Sequence, residues 1–328
     1  MKPRFYSEIE RANNIAIFSH INPDADALGS SFALKHLIDD NFDLKNVDVF
    51  VDGDIADLYK NLIKDEHFNP VPLDEYDLAI VLDCPNKQRT GKYSELLTEI
   101  PSIINIDHHE TNKRFGVLNY VTPEVSSTSE MVYLLAQRCG LRLSDTIAKQ
   151  LYQGIITDTN CFTSSYCTDL THKVTGDLMS YNFDAEKIKG YYFENNSSAK
   201  TKLLANALLS MKFYDNNKLT TMTIDYKTFK KNNASFEDSL GIIDNGINIT
   251  GTEVSAILIE QFPEHIHCSL RSKGNINVGE IANQFNGGGS TKLAAFQIDG
   301  TIASIERKLV QAIKPHLAQV SKEEEITF

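Results

Sequence analysis

Cysteine is scarce in this 328-residue chain and badly spaced for cross-linking: Cys84, Cys139, Cys161, Cys167 and Cys268 are all there is. An odd count without a C-x-x-C pair argues against a disulfide framework and a thiolate zinc site, and predicts reduced thiols. Long apolar runs are missing too. None approaches the ~18 residues a membrane-spanning helix needs, and the opening Met1-Lys2-Pro3-Arg4 has no signal-peptide core. A cytoplasmic protein with no membrane partner is expected. There is also no basic excess: 32 Lys and Arg stand against 44 Asp and Glu, a formal net charge of −12. Such a balance argues against wrapping duplex DNA or long nucleic acid, whose affinity rests on Lys and Arg at phosphates. It is compatible with a small phosphorylated substrate, because bound cations reverse the local sign.

What is present is an ordinary globular composition, 41% hydrophobic and 23% charged, long enough for two domains. The charge is unevenly spread. Residues 200–328 hold 14 basic and 14 acidic side chains, so residues 1–199 carry the whole −12. This places metal binding in the first half and leaves phosphate to be met partly by the second. Strand-like runs at 14–19, 47–51, 78–82 and 103–106, with a helical pattern at 27–37, give the βαβ alternation of a parallel sheet. Residues 151–157 read as the end of a helix, and 168–199 as polar helices with a hinge near 194–198. A helix over 199–213 then opens a second unit, with strands at 219–225, 253–262 and 266–271 and helices at 278–285 and 302–317. The expected domains are 1–190 and 201–328, joined by a linker at 191–200. The charge run 322–325 is read as a solvated tail.

Four short segments carry the chemistry: His20-Ile21-Asn22-Pro23-Asp24-Ala25-Asp26, then Asp83, then Asp107-His108-His109, then Asp158. The first three follow apolar strands, and open α/β sheets gather ligands beyond the carboxyl ends of their strands. A two-metal centre needs about three protein ligands per ion and one bridging carboxylate. Mixed imidazole and carboxylate donors suit Mn²⁺, and also Fe²⁺, Co²⁺ or Zn²⁺. In extended chain the carboxylates of Asp24 and Asp26 point to one side; alternatively Asp24 caps a helix. Gly29 and Ser30 are read as letting that helix start close to the site. The remaining histidines, His36, His67, His172, His265 and His316, are read as surface or packing residues.

The order H-x-N-x-D-x-D, D, D-H-H and a later D in Gly154-Ile155-Ile156-Thr157-Asp158-Thr159 resembles the DHH phosphoesterases. Matching text extends to Glu110-Thr111-Asn112, Phe115-Gly116 and Ser126 through Tyr133. The second half is similar to the attached DHHA1 domain, through Ser269-Leu270-Arg271-Ser272-Lys273 and Phe285-Asn286-Gly287-Gly288-Gly289. The resemblance implies an α/β fold: a parallel-sheet DHH domain, a smaller α/β DHHA1 domain and an active site in the cleft between them. Within the family the layout is most similar to bifunctional oligoribonucleases and 3′-phosphoadenosine 5′-phosphate phosphatases.

Carried over residue by residue, the resemblance puts His20 and Asp24 on one metal, Asp26, His108 and Asp158 on the other, and Asp83 between them. Asp107 orients its neighbours and His109 faces the scissile phosphate, with water activated between two divalent ions, Mn²⁺ by donor type. Arg271 and the glycine loop Gly287, Gly288 and Gly289, whose N–H groups are read as free for an anion, bind substrate. The family continues the triple glycine with His; here Ser290 follows, which puts the substrate in question, with Lys292 or His267 as candidates to compensate. The implied substrates are very short RNA oligonucleotides and nucleotide phosphates. Cyclic di-AMP or its linear product pApA is an alternative, a nucleotide-binding protein with weak or no turnover a lesser one, and a homodimer is possible.

Overall fold

Runs of aliphatic residues flanked by polar turns build the first sheet, and their burial on both faces explains why they are continuously apolar. The computed structural model describes residues 3–164 and 166–325, with side chains up to residue 317. Contacts divide the chain into two units, after Asn195.

The first unit runs α1 (Arg4–Arg11), β1 (Asn14–Phe18), α2 (Ala25–Asn41), β2 (Asn46–Phe50), α3 (Asp57–Lys60), β3 (Leu78–Leu82), α4 (Ser94–Glu99), β4 (Ile103–Asp107) and β5 (Leu118–Val121). It closes with α5 (Thr128–Cys139), α6 (Asp145–Asp158), α7 (Asp169–Leu178) and α8 (Ala185–Phe193). Its five strands lie in the order β2-β1-β3-β4-β5, every pair parallel. All five residues of β3 and of β4 are buried. In this order the chain leaves β1 toward one side of the sheet and β3 toward the other. The loops beyond β1 and β3 therefore diverge and open a crevice at the topological switch point. His20 and Asp83 stand there.

Helix α2 begins at Ala25, two residues earlier than the apolar pattern suggested, and runs on to Asn41. Gly29 lies inside it, not at its start. A Cβ at Gly29 would sit 2.7 Å from the Gln150 carbonyl oxygen. The glycine's role is thus to let α2 pack closely on α6, rather than to open a turn.

The second unit holds α9 (Ser198–Leu209), β6 (Lys212–Tyr214), β7 (Leu219–Ile224), α10 (Tyr226–Asn232), α11 (Asp244–Ile247), β8 (Val254–Phe262) and β9 (His265–Ser272). It ends with α12 (Val278–Asn283), β10 (Gly288–Gly289), β11 (Leu293–Asp299) and α13 (Ile302–Glu325). The sheet order is β10-β11-β9-β8-β7-β6, antiparallel except for the β7–β8 pair. The helix expected over 199–213 stops at Leu209, because residues 212–214 pair with β7 as a short edge strand. Two cores form in this unit, one around Leu258, Leu270 and Leu309, the other around Leu203, Met222 and Ile257. The side chains of the 322–325 charge run lie outside the described residues.

Candidate metal centre

Four peptide segments of the first unit bring their side chains together. His20 follows β1, where its Nδ1 lies 3.0 Å from the Ile21 carbonyl. A donor Nδ1–H there leaves Nε2 as the free nitrogen. That Nε2 lies 4.0 Å from Asp24 Oδ1 and 3.5 Å from Asp83 Oδ2. The other oxygen of Asp83 faces His108, with Nε2 at 3.7 Å, and His108 Nε2 stands 3.6 Å from Asp158 Oδ2. Asp83 thus presents one oxygen to each histidine. It sits directly after β3 with φ +53°, a left-handed conformation uncommon for a residue with a side chain.

Three overlapping groups have ligand atoms within 4.8 Å of one another: His20, Asp24 and Asp83; Asp26, His108 and Asp158; Asp83, His108 and His109. The structure brings together all eight sequence-predicted residues of the first half, though not in the local geometry expected of two. Asp24 and Asp26 are not on one extended strand. Asp24 is the N-cap of α2, its Oδ1 accepting the backbone N–H of Asp26 and Ala27 at 3.0 Å each, and Asp26 lies within the first turn. Capping and metal binding are compatible, since a carboxylate has several lone pairs.

Asp107 ends β4, fully buried, and works on its neighbours. Its Oδ1 accepts the His108 N–H at 3.0 Å and lies 2.7 Å from His109 Nδ1, while the Asn112 amide donates to Oδ2. That bond to Asp107, together with the charge of Asp83 and against the effect of burial, pushes His109 up to about 9. Burial works to raise Asp83, yet the His20 hydrogen bond and the charges of His108 and His109 outweigh it and draw it down to about 2. The outer carboxylates behave oppositely. Asp26 is driven well up by burial and then by Asp83 and Asp24, and Asp158 is pushed up to about 9 by burial and then by Asp26, Asp83 and Asp24.

Carboxylates crowded this way repel one another unless a proton or a cation intervenes. With two imidazoles among them, the donors fit divalent transition-metal ions better than an all-oxygen site would. The set can hold metal ions. A cavity of about 60 Å³ opens beside it, lined by Asp24, Ala25, Asp26, Tyr59, Thr157 and Asp158.

Two contributors escaped sequence reasoning. The amino end of α5 grips Asp26: the N–H of Thr128 donates to Oδ2 at 2.7 Å and that of Ser129 to Oδ1 at 2.9 Å. The Thr128 hydroxyl donates to Asp83 Oδ1 at 3.1 Å. The available signal was the capping pattern Ser126-Ser127-Thr128-Ser129-Glu130, which announces a helix start but not its target. Tyr59 is the other, on a short helix with no motif. Among the remaining histidines, His36 lies 3.0 Å from Glu66 and His265 lies 2.8 Å from Asp299, so both have carboxylate partners.

In the second unit, Arg271 near the end of β9 lies 3.5 Å from Asp244 and bonds the Leu270 carbonyl. The triple glycine belongs to a strand pairing rather than to an open loop. The Gly287 N–H donates to the Ala282 carbonyl, and Gly288 and Gly289 pair with Ala295 and Ala294 as β10. A Cβ at Gly287 or Gly289 would collide with the β11 backbone, and Gly289 has φ +151°. Close strand approach is what demands these glycines. Ser290 shapes the turn that follows, its Oγ accepting the N–H of Lys292 and of Leu293. The Lys292 ammonium is bound to the Gly274 carbonyl, and His267 packs edge-on against Phe236.

Residues 14–155 match the family model described as DHH family, N-terminal domain, and residues 216–319 match the DHHA1 domain. The probable bifunctional oligoribonuclease and PAP phosphatase NrnA of Streptococcus mutans is 30% identical over 300 residues, 86% of this chain and 89% of the relative. The bifunctional oligoribonuclease and PAP phosphatase NrnA of Bacillus subtilis is 25% identical over 296 residues, 88% of this chain and 90% of the relative. Among solved structures, an exopolyphosphatase-related protein from Bacteroides fragilis aligns with a TM-score of 0.84 at 28% identity, covering 96% of each chain. RecJ of Thermus thermophilus, solved with Mn²⁺, shares the fold at a TM-score of 0.52 and 15% identity, over 96% of this chain and 54% of RecJ. Motif order, fold and relatives agree, and the chain belongs to the DHH family of phosphoesterases with a DHHA1 domain, and so is a hydrolase.

Proposed function

We propose that this chain is a Mn²⁺-dependent phosphodiesterase and phosphomonoesterase that trims very short RNA to mononucleotides and converts 3′-phosphoadenosine 5′-phosphate to AMP. The observation that carries the reading is Asp83, whose two oxygens face His20 and His108 from one buried position. Its relatives' names, bifunctional oligoribonuclease and PAP phosphatase, supply the substrate class.

Two ions would be held by His20 and Asp24 on one side, by Asp26, His108 and Asp158 on the other, with Asp83 shared. When bound, such ions acidify water and neutralise charge on phosphoryl oxygens. The chain's own groups do the rest. Asp107 fixes His109 through Nδ1, which leaves Nε2 to donate to a phosphoryl oxygen or to the leaving oxygen. His109 is exposed enough to be reached, at 42% of its side chain, whereas Asp107 is sealed off. Arg271, engaged with Asp244 only at 3.5 Å, retains donors for a substrate phosphate.

A hydrolysis panel with Mn²⁺ tests this: a short RNA ladder, pApA, 3′-phosphoadenosine 5′-phosphate, cyclic di-AMP and pyrophosphate. Mononucleotides from pApA and RNA, with AMP from the bisphosphate, are expected. All turnover should vanish in Asp83→Ala. Preference for the cyclic dinucleotide or for pyrophosphate, or silence throughout, would sink the proposal.

A further inference from the structure

A cavity of the second unit lies far from Arg271 within that unit. It is about 250 Å³, lined by Tyr226, Phe229, Lys230, Ala234, Phe236, Gln261 and Phe262. Phe262 pairs with His265 and Ser255 with Arg271, so the cavity and Arg271 occupy opposite ends of the β8–β9 hairpin. Six residues of strand separate them, about 20 Å at the usual rise.

The cavity is built rather than incidental. The register of β8 against β9 slips between Glu260 and Phe262, a bulge of the kind that re-aims side chains next to sites. Glu260 then ties the neighbouring pieces together: one oxygen accepts the Tyr226 N–H at the start of α10, the other the Glu264 N–H in the hairpin turn, both at 3.0 Å. His267 braces the Phe236 ring edge-on at 5.0 Å. Phe262 is left 64% exposed, although it is large and apolar.

Helix α10 sets basic side chains beside the cavity, with the acids Asp225, Glu260 and Glu264 also close by. Helix α10 carries Lys227, Lys230 and Lys231, all exposed. None of the three has an ion-pair partner among the described residues, and the Lys230 ammonium lies over the Tyr226 ring at 5.4 Å. Aromatic faces beside unpaired cations are the chemistry that holds a base and its phosphate in single-stranded nucleic acid. Gln261 adds an amide able to meet a base edge. The volume lies just under the roughly 300–1,000 Å³ of drug-sized pockets, which suits one planar ring system with its phosphate left outside on the lysines.

We propose that this cavity, formed by α10 and the tip of the β8–β9 hairpin, is a second nucleotide-binding site, taking a nucleobase between Phe262 and the neighbouring aromatic rings and its phosphate on Lys230. It goes beyond the hydrolytic reading, which it neither requires nor supplies.

The chain contains no tryptophan, so Phe262→Trp gives the full-length protein a single indole reporter at the cavity. Titration with AMP in EDTA, where the metal centre is not engaged, should quench it saturably. Adding Lys230→Glu should weaken that binding about five-fold or more, and ribose 5-phosphate, lacking a base, should not quench. In the chain with its natural Phe262, equilibrium dialysis of labelled AMP in EDTA should show the same site, weakened about ten-fold by Phe262→Ala. Quenching that is absent, that is indifferent to Lys230→Glu, or that follows protein concentration instead of AMP overturns the proposal; the last outcome would identify a contact between copies of the chain. Hydrolysis of short RNA by Phe262→Trp is assayed separately with Mn²⁺, so loss of the enzymatic reading would register there and not in the quenching.

Discussion

At the scale of single residues, the candidate metal centre is held by groups outside the candidate ligand set. Thr128 is the clearest case. Its N–H meets Asp26 and its hydroxyl meets Asp83, so one residue orients a carboxylate on each side of the cluster. Thr128→Val keeps the shape and the backbone bond but removes the hydroxyl. Since outer partners of metal ligands typically contribute 10–100-fold in affinity, Mn²⁺ binding measured by calorimetry should weaken by about 10-fold or more. The stability of the metal-free protein should fall by only about 1 kcal/mol. Unchanged Mn²⁺ affinity would show that the hydroxyl merely packs. Residues of this kind are hard to read from sequence, because Thr has no type-specific role and a backbone N–H has no signature at all. His20, Asp83 and Asp107 were legible together rather than singly: one acid after an apolar strand is commonly a loop residue, whereas several such segments in this order point to one converging site.

At the scale of elements, the site depends on how closely three helices approach. Asp26 comes from α2, Asp158 from the end of α6, and the amides on Asp26 from α5. Gly154 lies where they meet: a Cβ there would come 2.7 Å from Asp26 Oδ1 and collide with the Ser129 hydroxyl. Gly154→Ala must therefore displace the carboxylate or the α5 end. It should cost about 1–3 kcal/mol of stability, as overpacking does, and in addition lower activity well beyond what the stability loss explains. Urea unfolding and Mn²⁺-dependent turnover measure the two effects, and a stable variant with full activity would refute the packing argument. The glycine appeared in the sequence only as part of a motif. Its packing purpose needs the partner helix, which no local pattern reveals. The same limit explains β6 and β11. Residues 212–214 continue an apolar stretch at helical spacing, and only the pairing with β7 makes them a strand. The triple glycine suggested a loop because nothing local announces that β11 lies against it.

At the scale of the whole molecule, the division of charge and the division of function coincide. The net −12 belongs to residues 1–199, and every candidate metal ligand lies between residues 20 and 158, within the first of the two units. The charge imbalance was readable from composition, and its cause is the carboxylate cluster only in part, since most of the excess acids lie outside it. An ion that binds the folded first unit and not the unfolded chain stabilises it by about 2.7 kcal/mol at a hundredfold excess over the dissociation constant. The effect should be local before it is global, because each unit has its own cores. Hydrogen exchange with Mn²⁺ against EDTA should therefore show added protection in α2, α6, the amino end of α5 and the segments around Asp83 and Asp107. The gain in β8 and β9 should be smaller. Equal protection in both units would mean that the ion acts on the fold as a whole, and added protection confined to the second unit would place the ion away from the eight residues named here.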